Sequence, residues 1–498
     1  MDALSLIRGG EPTATPWRFR LDELAWRDLV EALRADPLPF CGLWCDGTDV
    51  HALFLVRDEP LAVTLALEDG RYPALSPARA ASTLYERAIY DLYGAEAMWA
   101  RDVRPLFDHE VWPCSSPLAA RPGVSEARSG LAVFQPSERF ATAAGAVDGW
   151  GPASGGVSPP LYVAFTQSRG LVGQAESQSG YAHRGMALRW RGSRVEDGCR
   201  LSGRVVAGQS VAHQSAFCMA VEQACGQTVG EQAGLARVAL MEMERVLHHL
   251  YTLADMAGRA QAPLVAAHCM MLRETMLEQI SPVTGSRLLM DCCRPGGVRL
   301  PEAERLGAVC ESLAGIGQAA HPALLELWES FPGLVARLKG LGVTRAEDLA
   351  RVGLEGLVAR AAGQDCDTRR ALALYEGLWR YTAGRQYGSA ADRALLLLDE
   401  VAESLSQLAR LAPRIGDAMP DREALSLPDA EGMAMVEGPW GRVAYWVRLQ
   451  EGRLAQVFCH TPAAAALLLF EESVKDQPVE DLPLVACSLG VNAAALDG

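Results

Sequence analysis

RVVAGQSVAHQSAFCMAVEQACG, residues 204–226, and then ARVALMEMERVLHHL, residues 236–250, decide how this chain is read. In the second stretch and its flanks, Leu235, Ala239, Met243, Val246, Leu250 and Leu253 recur at steps of three and four. That spacing predicts a helix with one apolar face. Glu242, Arg245 and His249 fall together on another face. A Glu–Arg pair three residues apart is first of all a helix stabiliser, worth on the order of 0.2–0.5 kcal/mol. The first stretch is a short turn of small residues, with Ser210 and His213 in it, leading into a helix. From Ala212 onward the chain reads as mainly helical, with further helices at 301–318, 369–384 and 391–412. PAAAALLLF (462–470) is too short for a membrane span and reads as a buried helix. GRVAYWVRLQEGRLAQVFCH (441–460) reads as a hairpin turning at Glu451-Gly452.

Upstream the pattern changes. HALFLVRD and LAVTLALEDG read as paired strands, the second closing in Asp69-Gly70. SPARAASTLYERAIYDLYG predicts a helix capped by Ser76, with Pro77 in its first turn and Gly94 at its end. Residues 114–150 are rich in Ser, Pro, Gly and Ala and read as a linker. PPLYVAFTQSRGLVGQAESQSGY has strand character interrupted at Gly170. The expected fold is α+β: a small N-terminal α+β domain over 1–113, the linker, and a mainly helical domain over 151–498 with a small sheet at its start.

A chain of 498 residues is long enough for two or three domains, and its formal net charge is −15. That charge argues against a nucleic-acid partner, whose phosphates want a basic surface. The N-terminus has no basic start followed by an apolar core, so no signal peptide is expected. The 13 cysteines are scattered in apolar surroundings with no CxxC pair, which suits buried thiols in a reducing compartment. Cys41 with Cys45, and Cys292 with Cys293, are weak metal candidates by spacing.

Several ordered motifs resemble known families. YERAIYDLYGAEA (85–97) with DVRPLFDHEVWP (102–113) looks like the signature of the C-type subunit of complex I. GYAHRGMALRW (180–190) is similar to the GYxHRG segment of the D-type subunit of complex I and of energy-converting [NiFe] hydrogenase large subunits. The 204–250 region matches the segments that follow it. SRLLMDCCRPGGV (286–298), GLEGLVARAAGQDCDTR (353–369) and GSAADRALLLLDEVAES (388–404) continue the pattern to PLVACSLGVNAAALDG at the end. The resemblance implies a fused C/D chain with a hydrogenase-large-subunit-like domain.

In the hydrogenases of this resemblance, two CxxC pairs supply the soft thiolates that hold Ni and Fe. Here the first pair falls on Val206 and Gln209, the second on Asn492 and Ala495. No metal ligand remains, and a [NiFe] centre is not expected. In the complex I branch the same cavity holds quinone. The headgroup Tyr of that branch falls on Ala207, and its hairpin histidines fall on Ser154 and Ser158. Ser154, Ser158, Gln209, Ser210 and His213 keep the chemistry to hydrogen-bond a polar group. The resemblance places His183 and Arg184 near a partner's iron–sulfur cluster, and Glu222 on an interface and proton-path side, with a solvated helix Glu as the alternative. It places residues 180–190 and 204–225 against a small subunit. Asp367 and Arg369 read as a structural ion pair. Asp497-Gly498 stands where the complex I pattern closes, so no clipped C-terminal tail is expected.

The function implied is that of a peripheral-arm subunit in a membrane-bound, complex I-like or energy-converting-hydrogenase-related oxidoreductase, at the cytoplasmic face of the inner (plasma) membrane. Electron transport, NAD- and quinone-linked chemistry and formate-hydrogenlyase-like complexes all belong to that picture. The implied partners are an iron–sulfur small subunit, a ferredoxin-like subunit and antiporter-like membrane subunits. No cofactor is expected on this chain itself; the partner's iron–sulfur cluster and a quinone are implied. The alternative is a redox-inactive structural or coupling subunit of an ion-translocating complex.

Overall fold

The computed structural model describes residues 2–35, 38–125, 133–153, 159–379, 385–416 and 425–497. Near the N-terminus, five strands form one sheet in the order Glu11–Pro12, Arg18–Leu21, Glu59–Ala66, Asp49–Val56, Phe40–Cys45. The 49–56 and 59–66 strands are the expected hairpin. Its turn is Arg57-Asp58, both at positive φ, the geometry that matches the strand twist. Alternation sorts the side chains. Val50, Ala52 and Phe54 join Trp26, Leu29 and Leu33 of helix Glu23–Ala35 in one core. Leu53, Leu55 and Ala62 face the other way, onto Met433, Trp446 and Phe458.

The helix expected from Ser76 begins later, at Thr83, and ends at Gly94 in the left-handed conformation. The delay has a cause. The buried Glu86 carboxylate takes the N–H groups of Leu75 and Ser76 at 2.7 and 2.8 Å, so that segment folds back over the helix start. Part of the expected linker is structured too. Ala146–Trp150 is the edge strand of a three-stranded sheet with Tyr162–Ser168 and Leu171–Gln178.

The helical body is built on Glu231–Arg259, which is buried on almost every face. It packs against Pro263–Thr284 and Ala390–Leu411. Helix Ser210–Ala224 is nearly as buried and lies against a second three-stranded sheet, Ala430–Glu437, Arg442–Gln450 and Arg453–His460. The last two strands are the expected hairpin. The first has no counterpart among the expected elements, because AEGMAMVE alternates poorly. Ala216 and Ala220 are fully buried in this packing, so these two side chains belong to the core and offer no surface of their own to a partner.

Two helix expectations change. The 301–318 helix runs as Leu306–Ser330. Within 369–384 there are only single turns, Thr368–Ala371 and Ala373–Tyr375, and residues 380–384 lie outside the described residues. Asp367 accepts Arg369 N–H and pairs with its guanidinium at 2.7 Å, and Leu372 between the turns is extended. The two parts of the chain are packed together. Trp44 stacks on Phe458 with centroids 4.5 Å apart, Arg18 pairs with Glu431 at 3.0 Å, and the Tyr85 hydroxyl lies 2.9 Å from His460 Nδ1.

Candidate functional site: the degenerate cradle and its cavity

The four positions that stand for metal ligands do converge. Val206, Gln209, Asn492 and Ala495 line one small void, closed by Leu354, Val358, Trp440 and Leu489. Its volume is about 20 Å³, room for a single water. The lining offers two carboxamides and no thiol, carboxylate or imidazole. That donor set does not suit nickel or iron, which need charged soft ligands in this arrangement.

The two halves of the cradle are tied by one side chain. Arg184 donates to the carbonyls of Arg204 and Val205 at 2.8 and 2.9 Å, and to that of Ala494 at 2.8 Å. Asp497 holds the same segment from below. It accepts Arg184 N–H at 2.6 Å and lies 2.7 Å from His183 Nδ1. The His183 ring is sandwiched between Phe107 and Trp112, with centroids at 4.6 and 4.9 Å. His183 and Arg184 thus hold the fold of the cradle from outside it.

Beside the void, sharing Gln209, Trp440, Gly490 and Asn492, lies a larger cavity of about 380 Å³. Gly490 is needed there. Its φ is +67°, and a Cβ would meet the Trp440 ring at 2.4 Å. Ala207, Leu247, Leu288, Leu289 and Val491 supply apolar wall, while Glu244, His248, Tyr251, Arg273 and Asn492 supply polar groups. Glu244 accepts the N–H groups of Val211 and Ala212, at the start of the 210–224 helix, at 2.6 and 2.9 Å. Burial nevertheless pushes its carboxyl up to about 8. Burial and the neighbouring His249 push His248 down to about 3, so its imidazole stays neutral. The cavity can therefore hydrogen-bond an uncharged polar group within apolar walls, and Glu244 can exchange a proton near neutral pH.

Beneath it is a buried ionic network. Arg360 pairs with Glu400 at 2.6 Å and Glu437 at 2.8 Å; His249 Nε2 lies 2.9 Å from Glu400; Arg245 lies 3.4 Å from Glu242. Tyr375 and Ser404 donate to Glu242 at 2.5 and 2.6 Å. Burial works to raise the Glu400 carboxyl, but Arg360, His249 and Arg369 outweigh it and hold it well below its ordinary range. Glu242–Arg245 is therefore part of the core and no surface helix pair.

The other expected residues lie elsewhere. Ser210 donates to Gly203 O at 2.8 Å. His213 is buried with its Nδ1 2.9 Å from the Tyr445 hydroxyl and does not line the cavity. Glu222 is paired inside with Arg237 at 2.6 Å, which replaces the solvated alternative with a buried ion pair. Ser154 and Ser158 lie outside the described residues. Of the 13 cysteines, nine are buried, four are half-buried, and none is in a disulfide. Among the described residues, Asp46, Asp49 and His51 come close enough to share an ion. Asp46 is committed to Arg448 at 2.7 Å, and Asp49 to Arg20 at 2.7 Å, so the group is an ion-pair cluster. Glu244 and His248 are functional candidates that sequence reasoning misses. Their signal is there, since they sit four apart on the same helix as Glu242, Arg245 and His249.

Residues 262–424 match the family model described as the respiratory-chain NADH dehydrogenase 49 kDa subunit. A D-type subunit of the NADH-quinone oxidoreductase of Salinispora tropica is 30% identical over 287 residues, covering 55% of this chain and 73% of that protein. The chain belongs to the 49 kDa-subunit family of the respiratory NADH dehydrogenase. It is also similar to the fused C/D-type subunit of the NADH-quinone oxidoreductase of Bacteroides thetaiotaomicron, 22% identical over 82% of each chain, which matches the fused layout. The carbon monoxide-induced hydrogenase of Rhodospirillum rubrum is 25% identical over 60% of this chain and 84% of its own length. Among solved structures, a chain of an archaeal membrane-bound sulfane sulfur reductase superposes with a TM-score of 0.64 at 20% identity, over 73% of this chain and all of its own. That likeness gives the family member its fold.

Proposed function

We propose that this chain is a peripheral-arm subunit of a membrane-bound, complex I-like or hydrogenase-related oxidoreductase complex, and that it works without a metal centre of its own. The observation that carries this is the cradle. Val206, Gln209, Asn492 and Ala495 meet around a void of about 20 Å³ with no charged donor, next to a cavity that keeps a titratable carboxyl. Family membership and the relatives' names support the setting. Among the described residues no helix is long and apolar enough to cross a membrane, so attachment comes through other subunits, at the cytoplasmic face. The partners in this reading are an iron–sulfur small subunit, a ferredoxin-like subunit and antiporter-like membrane subunits. The polar-lined cavity of about 380 Å³ takes a quinone-like headgroup, held by Asn492 and Arg273 in place of the missing tyrosine.

The test is purification of the complex through a tag on this chain, with subunits identified by mass spectrometry and nickel measured by elemental analysis. An iron–sulfur subunit and membrane subunits without stoichiometric nickel are expected. Stoichiometric nickel on this chain, or hydrogen evolution that follows it, would refute the reading. A complex whose small subunit lacks cluster cysteines would favour a purely structural or coupling role.

A further inference from the structure

Glu244, His248, Tyr251, Asp255, Arg273 and Cys487 are the titratable side chains that line the cavity of about 380 Å³. Five of them bring no net charge into it. Asp255 is paired with Arg259 at 3.0 Å. Burial lifts the Glu244 carboxyl to about 8 and lowers His248 to about 3. It also raises the Tyr251 phenol and the Cys487 thiol above their ordinary ranges. At pH 7 the neutral form of each of these four predominates. Arg273 is different. Among the described residues no carboxylate lies within ion-pair reach of it, and its neighbour Glu274 is bound to Arg287 at 2.6 Å.

The Arg273 guanidinium is held in place. Its Nε donates to Leu247 O at 3.1 Å, and its centre lies 5.7 Å from the middle of the Tyr251 ring. Both Nη groups remain, a planar fork that fits the two oxygens of a carboxylate. Burial pulls the Arg273 pKa down, as it does for a cation that loses water without gaining a counter-charge. Asn492 commits its Oδ1 to the Ala494 N–H at 3.0 Å, so its Nδ2 is a second donor for a ligand. Leu247, Leu289, Val491 and Trp440 form the apolar wall, and Leu288, 43% exposed, carries that wall out to the surface. A dry cavity of about 150 Å³ already holds benzene, so this one takes a headgroup and several carbons of a chain.

We propose that this cavity binds a long-chain fatty acid, with the carboxylate on Arg273 and Asn492 and the alkyl chain along the apolar wall. An anion there restores the charge balance that the chain itself leaves open. A charge-assisted pair is roughly twice as strong as a neutral hydrogen bond, so the carboxylate holds this guanidinium better than a quinone carbonyl does. A phosphate monoester fits less well, because it brings a charge of about −1.5 to −2 and three acceptor oxygens to one cation and one carboxamide. The inference rests on the reading of this cavity as a ligand site. It adds a competitor for the quinone-like headgroup, since both ligands need the same two donors.

The test is photolabelling of the complex purified through this chain. The probe is dodecanoic acid with a diazirine in its chain, compared with its methyl ester, and labelled peptides are sequenced. The acid should label the peptides that hold Leu288, Leu289 and Val491 at a concentration about ten- to a hundredfold lower than the ester needs. Arg273→Met should bring the acid to the ester's level, and Arg273→Lys should keep part of the preference. The comparison of acid with ester in the wild type decides the matter should the Arg273 variants fail to fold. Equal labelling by acid and ester, or acid labelling that Arg273→Met leaves unchanged, would overturn the proposal. Decylubiquinone is then added as a competitor. Protection of the same peptides supports a shared cavity. Acid labelling that the quinone leaves intact supports the fatty-acid assignment and removes the quinone headgroup from this cavity, so the two readings fail separately.

Discussion

Glu244 shows how one side chain takes its chemistry from its surroundings. Burial lifts its carboxyl from 4.5 to about 8. A carboxyl raised on folding contributes stability that is complete below the unfolded value and is lost as pH rises through the folded one. Wild-type stability should therefore fall between pH 4.5 and 8 by about 2–4 kcal/mol from this group. Glu244→Gln should lack that component, so thermal melts should favour the variant progressively toward pH 8.5. A wild-type-to-variant difference that does not move with pH would contradict the assignment. Arg184 is a second such residue, joined to three carbonyls of both cradle halves. Its replacement by Ala should cost about 2–4 kcal/mol, read as a lower thermal midpoint. The residues at the lost ligand positions could be named before the structure only through the resemblance, whose ordered motifs set Val206, Gln209, Asn492 and Ala495 where the hydrogenases carry cysteines. Glu244 became a candidate only when its neighbours arrived from residues 211 and 212.

At the scale of elements, the 210–224 helix and the 430–437 strand meet without space between them. A Cβ on Gly432 would stand 2.0 Å from Ala220 O and 2.6 Å from Ala224 N. Gly432→Ala should destabilise the protein by about 1–3 kcal/mol, the usual cost of overpacking, and calorimetry checks it. An unchanged midpoint would mean that strand and helix part easily. The ionic network ties the 231–259 and 390–411 helices to the second sheet. Arg360→Met would leave Glu400 and Glu437 short of their shared partner in the interior. Breaking such a pair from one side costs about 3–5 kcal/mol, so the variant should be recovered largely insoluble, or melt far below wild type. The long apolar-faced helix is predictable because its period is local. The expected 369–384 helix gives way to single turns because Arg369 is held by Asp367, a pair legible in the sequence, and Tyr375 by Glu242, 133 residues away, a demand that no local pattern records.

Across the whole molecule, the N-terminal sheet and the C-terminal hairpin act as one packed unit through Trp44, Trp446 and Phe458. Trp44→Ala should cost about 3–5 kcal/mol of that packing and speed proteolysis at the exposed turn over residues 68–71, with the helical body remaining protected. Equal cleavage rates would show that the contact contributes little. The sequence by itself determined the fused layout, the long helix, both hairpins and the absence of thiol ligands, because these are written in short-range periods, turn residues and ordered motifs. Tertiary structure alone decided that the cradle collapsed to the size of one water, that Glu222 and Glu242 are paired inside, and that the 210–224 helix is core. It also left Arg273, among the described residues, without an ion-pair partner in an apolar-walled cavity. Those outcomes depend on which distant groups share a low-dielectric interior, and burial, pairing and cavity volume are properties of that assembly of segments, with no counterpart in any one stretch of chain.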